Sequence, residues 1–176
     1  MSELDSFLRA IKADPEDDTA RLVFADWLDE QAPRQKGVHI ANYTEWASNI
    51  QRQIAFSHCP RTDPRYWELF EPSHQRTLAK SALALVPPSV RKRKNFMIAR
   101  GFADGVDVSV RHFPHMVKEI GESLAPLYRL NLSQGGRQLD QLFERHELAQ
   151  FRHLAFSTFS LSDESAVAFA KCRHLE

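Results

Sequence analysis

The sequence predicts an α/β fold in which a helical N-terminal domain leads into a short solenoid of strand-and-helix units with a parallel sheet. Apolar residues follow helical spacing through the first third of the 176-residue chain. From residue 100 onward, a pattern of apolar and small residues returns every 24 residues, as "LAPLYRLNLS" at 124–133 and "LAQFRHLAFS" at 148–157 show. A fixed period of this length is the signature of stacked repeats, which bury a continuous core only together.

The first predicted helix starts behind Ser2. Asp5 stands three residues after that serine, which is the pattern of a capping box. The apolar residues that follow have the spacing of one helix face. They are Leu4, Phe7, Leu8 and Ile11.

A second helix is predicted from "ADPEDDTARLVFADWLDEQ". Here Asp14 is expected to cap the helix with Pro15 in its first position, because acids and proline favour that end. Its inner face is predicted to comprise Ala20, Val23, Phe24, Trp27 and Leu28. The acids at 14–18 have a second interpretation as a Ca²⁺ or Mg²⁺ site, but the proline and the lack of a following glycine favour capping.

Further elements follow in order along the chain. A third helix is predicted over 38–56, from apolar residues at helical spacing that include Trp46, Ile50 and Ile54. One or two helices are expected before Pro87 and Pro88. Apolar and polar residues then alternate around 96–110, which predicts strands.

The repeating part divides into units at 100–123, 124–147 and 148–171, with the start of another at 172. Each unit is predicted to hold a strand, near 105–109, 129–133 and 153–157, and then a helix. We therefore expect a helical capping domain at 1–99 and a repeat domain at 100–176. We also expect that either more repeats follow or the last strand is an open edge, able to pair with another copy.

The repeat units resemble leucine-rich repeats of the ribonuclease-inhibitor-like type. The family pattern L-x-x-L-x-L is matched by two sets of residues, namely Leu127, Leu130 and Leu132, and Phe151, Leu154 and Phe156. Gly135 and Phe159 stand where the family usually has Asn or Cys. The resemblance implies a curved solenoid with its strands on the concave side.

Residues 14–28 are similar to the core of the bacterial repeat-companion domain, a module that precedes such repeats. Its pattern D-P-x-D-D-T-x-R-L-V-x-A-D-W-L is matched throughout this segment. Arg-Gly-Phe at 100–102 resembles the family's entry into the repeats, whereas the middle of the chain, 32–95, departs from it. The resemblance implies a domain order and no reaction.

The predicted binding surface is the concave face of the repeats. Side chains alternate along a strand, so residues between the inward apolar positions point to the open face. The predicted protein-binding residues are Asp107, Ser109, Arg129, Asn131, Ser133, His153 and Ser157. The sequence thus predicts a non-catalytic scaffold that binds a protein partner, with no cofactor and no metal.

An alternative function arises from the charge distribution. The chain has no net charge, yet residues 1–30 carry a net charge of −6 and no acid occurs between Glu71 and Asp104. This basic span contains Arg91, Lys92, Arg93 and Lys94. Clustered cations release counterions when they bind nucleic acid, although a solvated junction loop accounts for the same cluster and nucleic acid is the less favoured partner.

A weaker alternative is an enzyme with a site near His58 and Cys59, where Asp63 and His74 also occur. A thiolate nucleophile needs a neighbouring base, but adjacent side chains seldom face each other, and the spacing does not suit zinc. The sequence shows neither an apolar run of membrane-spanning length nor a leader. The expectation is a cytoplasmic protein that does not act at membranes.

Overall fold

The computed structural model describes residues 2–34, 42–66, 81–91, 95–133, 139–157 and 163–172, which form a mixed α/β structure. Its helices are α1 (Glu3–Ala13), α2 (Asp18–Gln31), α3 (Tyr43–His58), α4 (Pro88–Arg91), α5 (Phe113–Glu122), α6 (Leu139–Phe143) and α7 (Asp163–Ala170). Its strands are β1 (Asn95–Ala99), β2 (Phe102–Ser109), β3 (Arg129–Ser133) and β4 (His153–Ser157). The strands form one sheet in the order β1-β2-β3-β4.

Two compact units divide the chain. The first comprises Met1–Val86, Ile98–Asp104 and Leu124–Pro126, and the second comprises Pro87–Met97, Gly105–Ser123 and Leu127–Glu176. Strand β2 therefore begins in the first unit and ends in the second. The boundary expected at residue 99 stays a prediction.

Helix α1 begins as its sequence predicts. The Ser2 hydroxyl accepts a hydrogen bond from the Asp5 backbone N–H at 3.1 Å, and the Asp5 carboxylate accepts one from the Ser2 N–H at 3.1 Å. This reciprocal pair satisfies two donors that a helix N-terminus otherwise leaves open. The hydrogen bond from the Ser2 backbone also lowers the pKa of Asp5, because it favours the charged carboxylate.

The predicted start of α2 is wrong by one turn. Asp14 ends α1, since its N–H donates to the Ala10 carbonyl at 3.2 Å. Pro15 and Glu16 form the turn, and Asp17 caps α2 by accepting from the Thr19 N–H at 2.8 Å. Helix α1 thus extends to Asp14, the residue that the sequence pattern assigned to the start of the second helix.

The predicted inner face of α2 also needs one correction. Val23 is 51% exposed, whereas Arg21 is fully buried. The Arg21 guanidinium lies 4.9 Å from the centre of the Phe102 ring and donates to the carbonyls of Pro15 and Arg100. A buried arginine is tolerated here because backbone carbonyls and an aromatic face replace the water that it loses.

The core of the first unit is aromatic. Phe24 packs edge-on against Trp46, with ring centres 5.2 Å apart, and both rings contact Phe102. The Trp46 indole N–H donates to the Gly101 carbonyl at 2.8 Å. The predicted third helix is present as α3, but it begins at Tyr43 behind its Asn42 cap and not at residue 38. Its residues Trp46, Ile50 and Ile54 are buried in this core.

Arg100 and Gly101 connect β1 to β2 in a turn whose residues both have positive φ, of 51° and 82°. Two consecutive residues of this kind fit the type I′ turn of a hairpin. Gly101 also lies against α3, because a Cβ at this position would overlap Cγ1 of Ile50. Glycine is therefore required here by both conformation and space.

The predicted strands of the second unit are present and pair in parallel. Gly105 pairs with Arg129 and Arg129 with His153, so each strand is offset by one 24-residue period from the next. The inward positions Val106, Val108, Leu130 and Leu132 are at most 1% exposed. Helices α5, α6 and α7 each follow one of these strands, in the order that the unit pattern predicts.

Replacing Gly101 with alanine should destabilise the fold. Strain at positive φ together with overpacking against Ile50 should lower the free energy of unfolding by about 2–5 kcal/mol. The matched control is Gly121→Ala in α5, where the nearest atom is the flexible end of Gln150 and the effect should stay within about 1 kcal/mol. Urea unfolding followed by tryptophan fluorescence measures both, and equal effects would contradict the role assigned to Gly101.

Candidate functional site

The outward side chains of β2, β3 and β4 form three rows across the sheet. The strand register places Gly105, Arg129 and His153 in the first row; Asp107, Asn131 and Ala155 in the second; and Ser109, Ser133 and Ser157 in the third. We call these positions the polar sheet face. Each of the seven predicted binding residues has another member of the set beside it in its row, so the strand register brings the predicted residues together.

The first row is cationic and aromatic. The Arg129 guanidinium donates to the Tyr128 hydroxyl at 3.0 Å and lies 5.1 Å from the centre of the Tyr128 ring. The His153 ring approaches the same tyrosine, with ring centres 5.6 Å apart. Tyr128 is buried, so it fixes the position of a half-buried arginine beside an exposed histidine.

The sequence pattern does not identify Tyr128 as a site residue. It stands immediately before β3, and the residues 24 positions away on either side are Asp104 and Arg152, so the repeat frame gives no consistent chemistry there. Its carbonyl accepts from the N–H groups of Arg152 and His153, at 2.8 and 3.1 Å. The one available signal was the local pair of tyrosine and arginine, which are the residue types most enriched at binding hot spots.

The second row is held by a cross-strand hydrogen bond. The Asn131 amide donates to the Asp107 carboxylate at 3.2 Å. Both side chains are half-buried, whereas Ala155 in the same row is exposed. The row therefore offers a fixed carboxylate and amide next to a small, accessible residue.

The third row consists of hydroxyl groups. Ser109 is 9% exposed, and its hydroxyl shares a 2.7 Å hydrogen bond with Nδ1 of His112 at the entry to α5. Ser133 and Ser157 are half-buried. Ser109 is thus the least accessible residue of this row.

The structure gives His58 and Cys59 separate partners. His58 Nε2 lies 2.7 Å from the Asp18 carboxylate, which also pairs with Arg100 at 2.8 Å. The Cys59 thiol is 3.8 Å from the Pro60 carbonyl. Hydrogen bonds from the Arg65 side chain occupy Asp63 and lower the pKa of that carboxyl to about 2. His74 lies outside the described residues.

The remaining predicted contacts are only partly described. Arg91 is exposed at the end of α4, and Lys92, Arg93 and Lys94 lie outside the described residues. Within the described ranges, no group of three or more His, Cys, Asp or Glu side chains is placed to hold a metal ion. No helix in the same part of the chain has both the length and the apolar character needed to cross a bilayer.

The assignment of faces predicts opposite responses at neighbouring positions of β3. Leu132→Ala should lower the free energy of unfolding by about 2–5 kcal/mol, because it leaves a cavity in the core. Asn131→Ala should cost about 1 kcal/mol or less, since it removes one hydrogen bond at a half-buried position. Urea unfolding followed by circular dichroism tests this. Equal losses at the two positions would show that the faces are assigned wrongly.

Comparison with known proteins leaves the function to be argued from these surfaces. No family model, no curated protein and no solved structure matches the chain. The polar sheet face combines a cation lying over an aromatic ring, an amide–carboxylate pair and a row of hydroxyls. Such a surface suits recognition of another molecule.

Proposed function

We propose that the protein is a non-catalytic interaction scaffold that binds a protein partner on the polar sheet face. The observation that carries this proposal is the register of the parallel strands. It places polar side chains from β2, β3 and β4 side by side, while the alternate positions of β2 and β3 are buried in an apolar core. Binding groups on rigid strands lose little conformational freedom on association.

We further propose that the strand-and-helix units are leucine-rich repeats of the ribonuclease-inhibitor-like type, preceded by a repeat-companion domain. The 24-residue register and the helices between the strands support the first assignment. The compact aromatic packing of Phe24 against α3 and Phe102 is consistent with a capping role for the helices. In this proposal the polar sheet face is the concave surface of the solenoid.

The chemistry of the face indicates where the binding energy is concentrated. Interface hot spots are enriched in tyrosine and arginine and are held in place by neighbouring contacts. Arg129 and Tyr128 are residues of these types, and their contact with each other and the approach of His153 to Tyr128 hold them in place. The serine row is expected to contribute complementarity and hydrogen bonds rather than most of the affinity.

A capture experiment with a matched variant tests the proposal. The wild-type chain is immobilised, exposed to cell lysate with and without nuclease, and the retained proteins are quantified by mass spectrometry. The face variant carries Arg129→Ala and His153→Ala. The control variant carries Lys118→Ala and His115→Ala, which remove one cationic and one imidazole side chain from the exposed side of α5.

We expect a protein partner that survives nuclease treatment, is retained equally by the wild-type chain and the control, and is retained at least about tenfold less by the face variant. Equal retention by the two variants would overturn the assignment of the polar sheet face. Retention abolished by nuclease would instead favour the basic span at 91–94 and a nucleic-acid partner.

A further inference from the structure

The first row of the polar sheet face continues onto β1 through Met97. The first-row residue of β2 is Gly105, which has no side chain. A Cβ at Gly105 would overlap Cε of Met97, and it would stand 3.2 Å from Cβ of Met97 and 3.0 Å from Cβ of Arg129. The methyl group of Met97 and the base of the Arg129 side chain therefore border the same space above the glycine. Met97, Gly105 and Arg129 are neighbours on one surface of the sheet.

Met97 covers the backbone of Gly105 and remains open to solvent. Methionine suits this position because its unbranched, flexible side chain fills irregular gaps between its neighbours. The residue is nevertheless 40% exposed. A small reagent in solution can therefore reach a thioether that lies beside the arginine of the first row.

The other methionines of the chain differ from Met97 in their surroundings. The chain contains three methionines. Met116 in α5 is 7% exposed and belongs to the core, and Met1 lies outside the described residues. Because an oxidant must reach the sulfur atom, Met97 should be oxidised readily while the fold protects Met116.

We propose that Met97 is a redox modification site that alters the polar sheet face. A peroxide transfers one oxygen atom to the Met97 sulfur, so that an S–O bond forms and the O–O bond of the peroxide breaks. The sulfur loses two electrons, and hydrogen peroxide is reduced to water, or an alkyl peroxide to its alcohol. The product is methionine sulfoxide, which methionine sulfoxide reductases convert back to the thioether. The modification is therefore reversible.

Oxidation changes the surface next to Arg129. The sulfoxide is larger and more polar than the thioether, and its oxygen accepts hydrogen bonds. The sulfur carries the methyl group that fills the space above Gly105. The added oxygen must therefore enter the neighbourhood of the Arg129 side chain or withdraw the methyl group from the glycine. Both changes remove the apolar cover at the β1 end of the first row, and weaker binding of a partner there is an effect that rests on the proposed function.

The first test measures the modification without any partner. The chain is treated with hydrogen peroxide, and peptide mass spectrometry should show Met97 oxidised at least about tenfold faster than Met116. The amide NMR signals of Gly105 and Arg129 should shift on oxidation and return after treatment with a methionine sulfoxide reductase. In a Met97→Leu chain the same peroxide should leave these two signals in place, because leucine has no sulfur.

The Met97→Leu chain keeps both cysteines, so it also controls for their oxidation. Equal oxidation rates at Met97 and Met116 would overturn the proposal. Signals of Gly105 and Arg129 that stay unchanged when Met97 is oxidised would overturn it as well.

The second test measures the effect on binding, with each chain compared with its own untreated sample. Peroxide should lower the retention of the partner by the wild-type chain at least about threefold, and by a Met116→Leu chain to the same extent. Retention by the Met97→Leu chain should not respond to peroxide. An equal loss in the Met97→Leu chain, or no loss in the wild-type chain, would contradict an effect of Met97 on binding. Failure of the untreated wild-type chain to retain any partner would count against the proposed function, and the first test alone would then decide the modification site.

Discussion

The turn at Arg100 and Gly101 is the constraint on which the first unit depends. Three side chains from two helices bind its backbone, since Arg21 and Trp46 donate to its carbonyls and Gln53 accepts from the Gly101 N–H. Asp18 pairs with the Arg100 side chain at 2.8 Å. These contacts satisfy polar groups that burial would otherwise make costly. The same turn sets the start of β2, the strand that continues into the parallel sheet.

The second organising constraint is that the offset between paired strands equals the sequence period. Because β2, β3 and β4 are each displaced by 24 residues from the next, equivalent positions lie side by side. The apolar positions therefore meet in one core and the polar positions in continuous rows. A slip of one residue would exchange the two faces, so the apolar residues fix the polar surface as firmly as they fix the core.

The second unit has one polar surface on its sheet whose side chains are held in place by their neighbours. The polar sheet face presents separate charged, amide and hydroxyl groups that are held by their neighbours, as a selective binding surface requires.

Much of the local structure was determined by the sequence alone. The capping box at Ser2, the helical spacing around Trp46 and the 24-residue period predicted α1, α3 and the three parallel strands, because these features depend on nearby residues or on a strict repetition. The period also predicted which residues of the strands share a face. Alternation along a strand needs no knowledge of what covers it.

Only the tertiary structure decided the rest. The start of α2 depended on how far α1 continues. Arg21 is buried where the sequence predicted Val23, and this depended on the Arg100 carbonyl, which is distant in the sequence. Tyr128 became part of the candidate site because it contacts Arg129 and His153 in the folded sheet. These features arise from contacts between distant residues, and such contacts leave no periodic signal in the sequence.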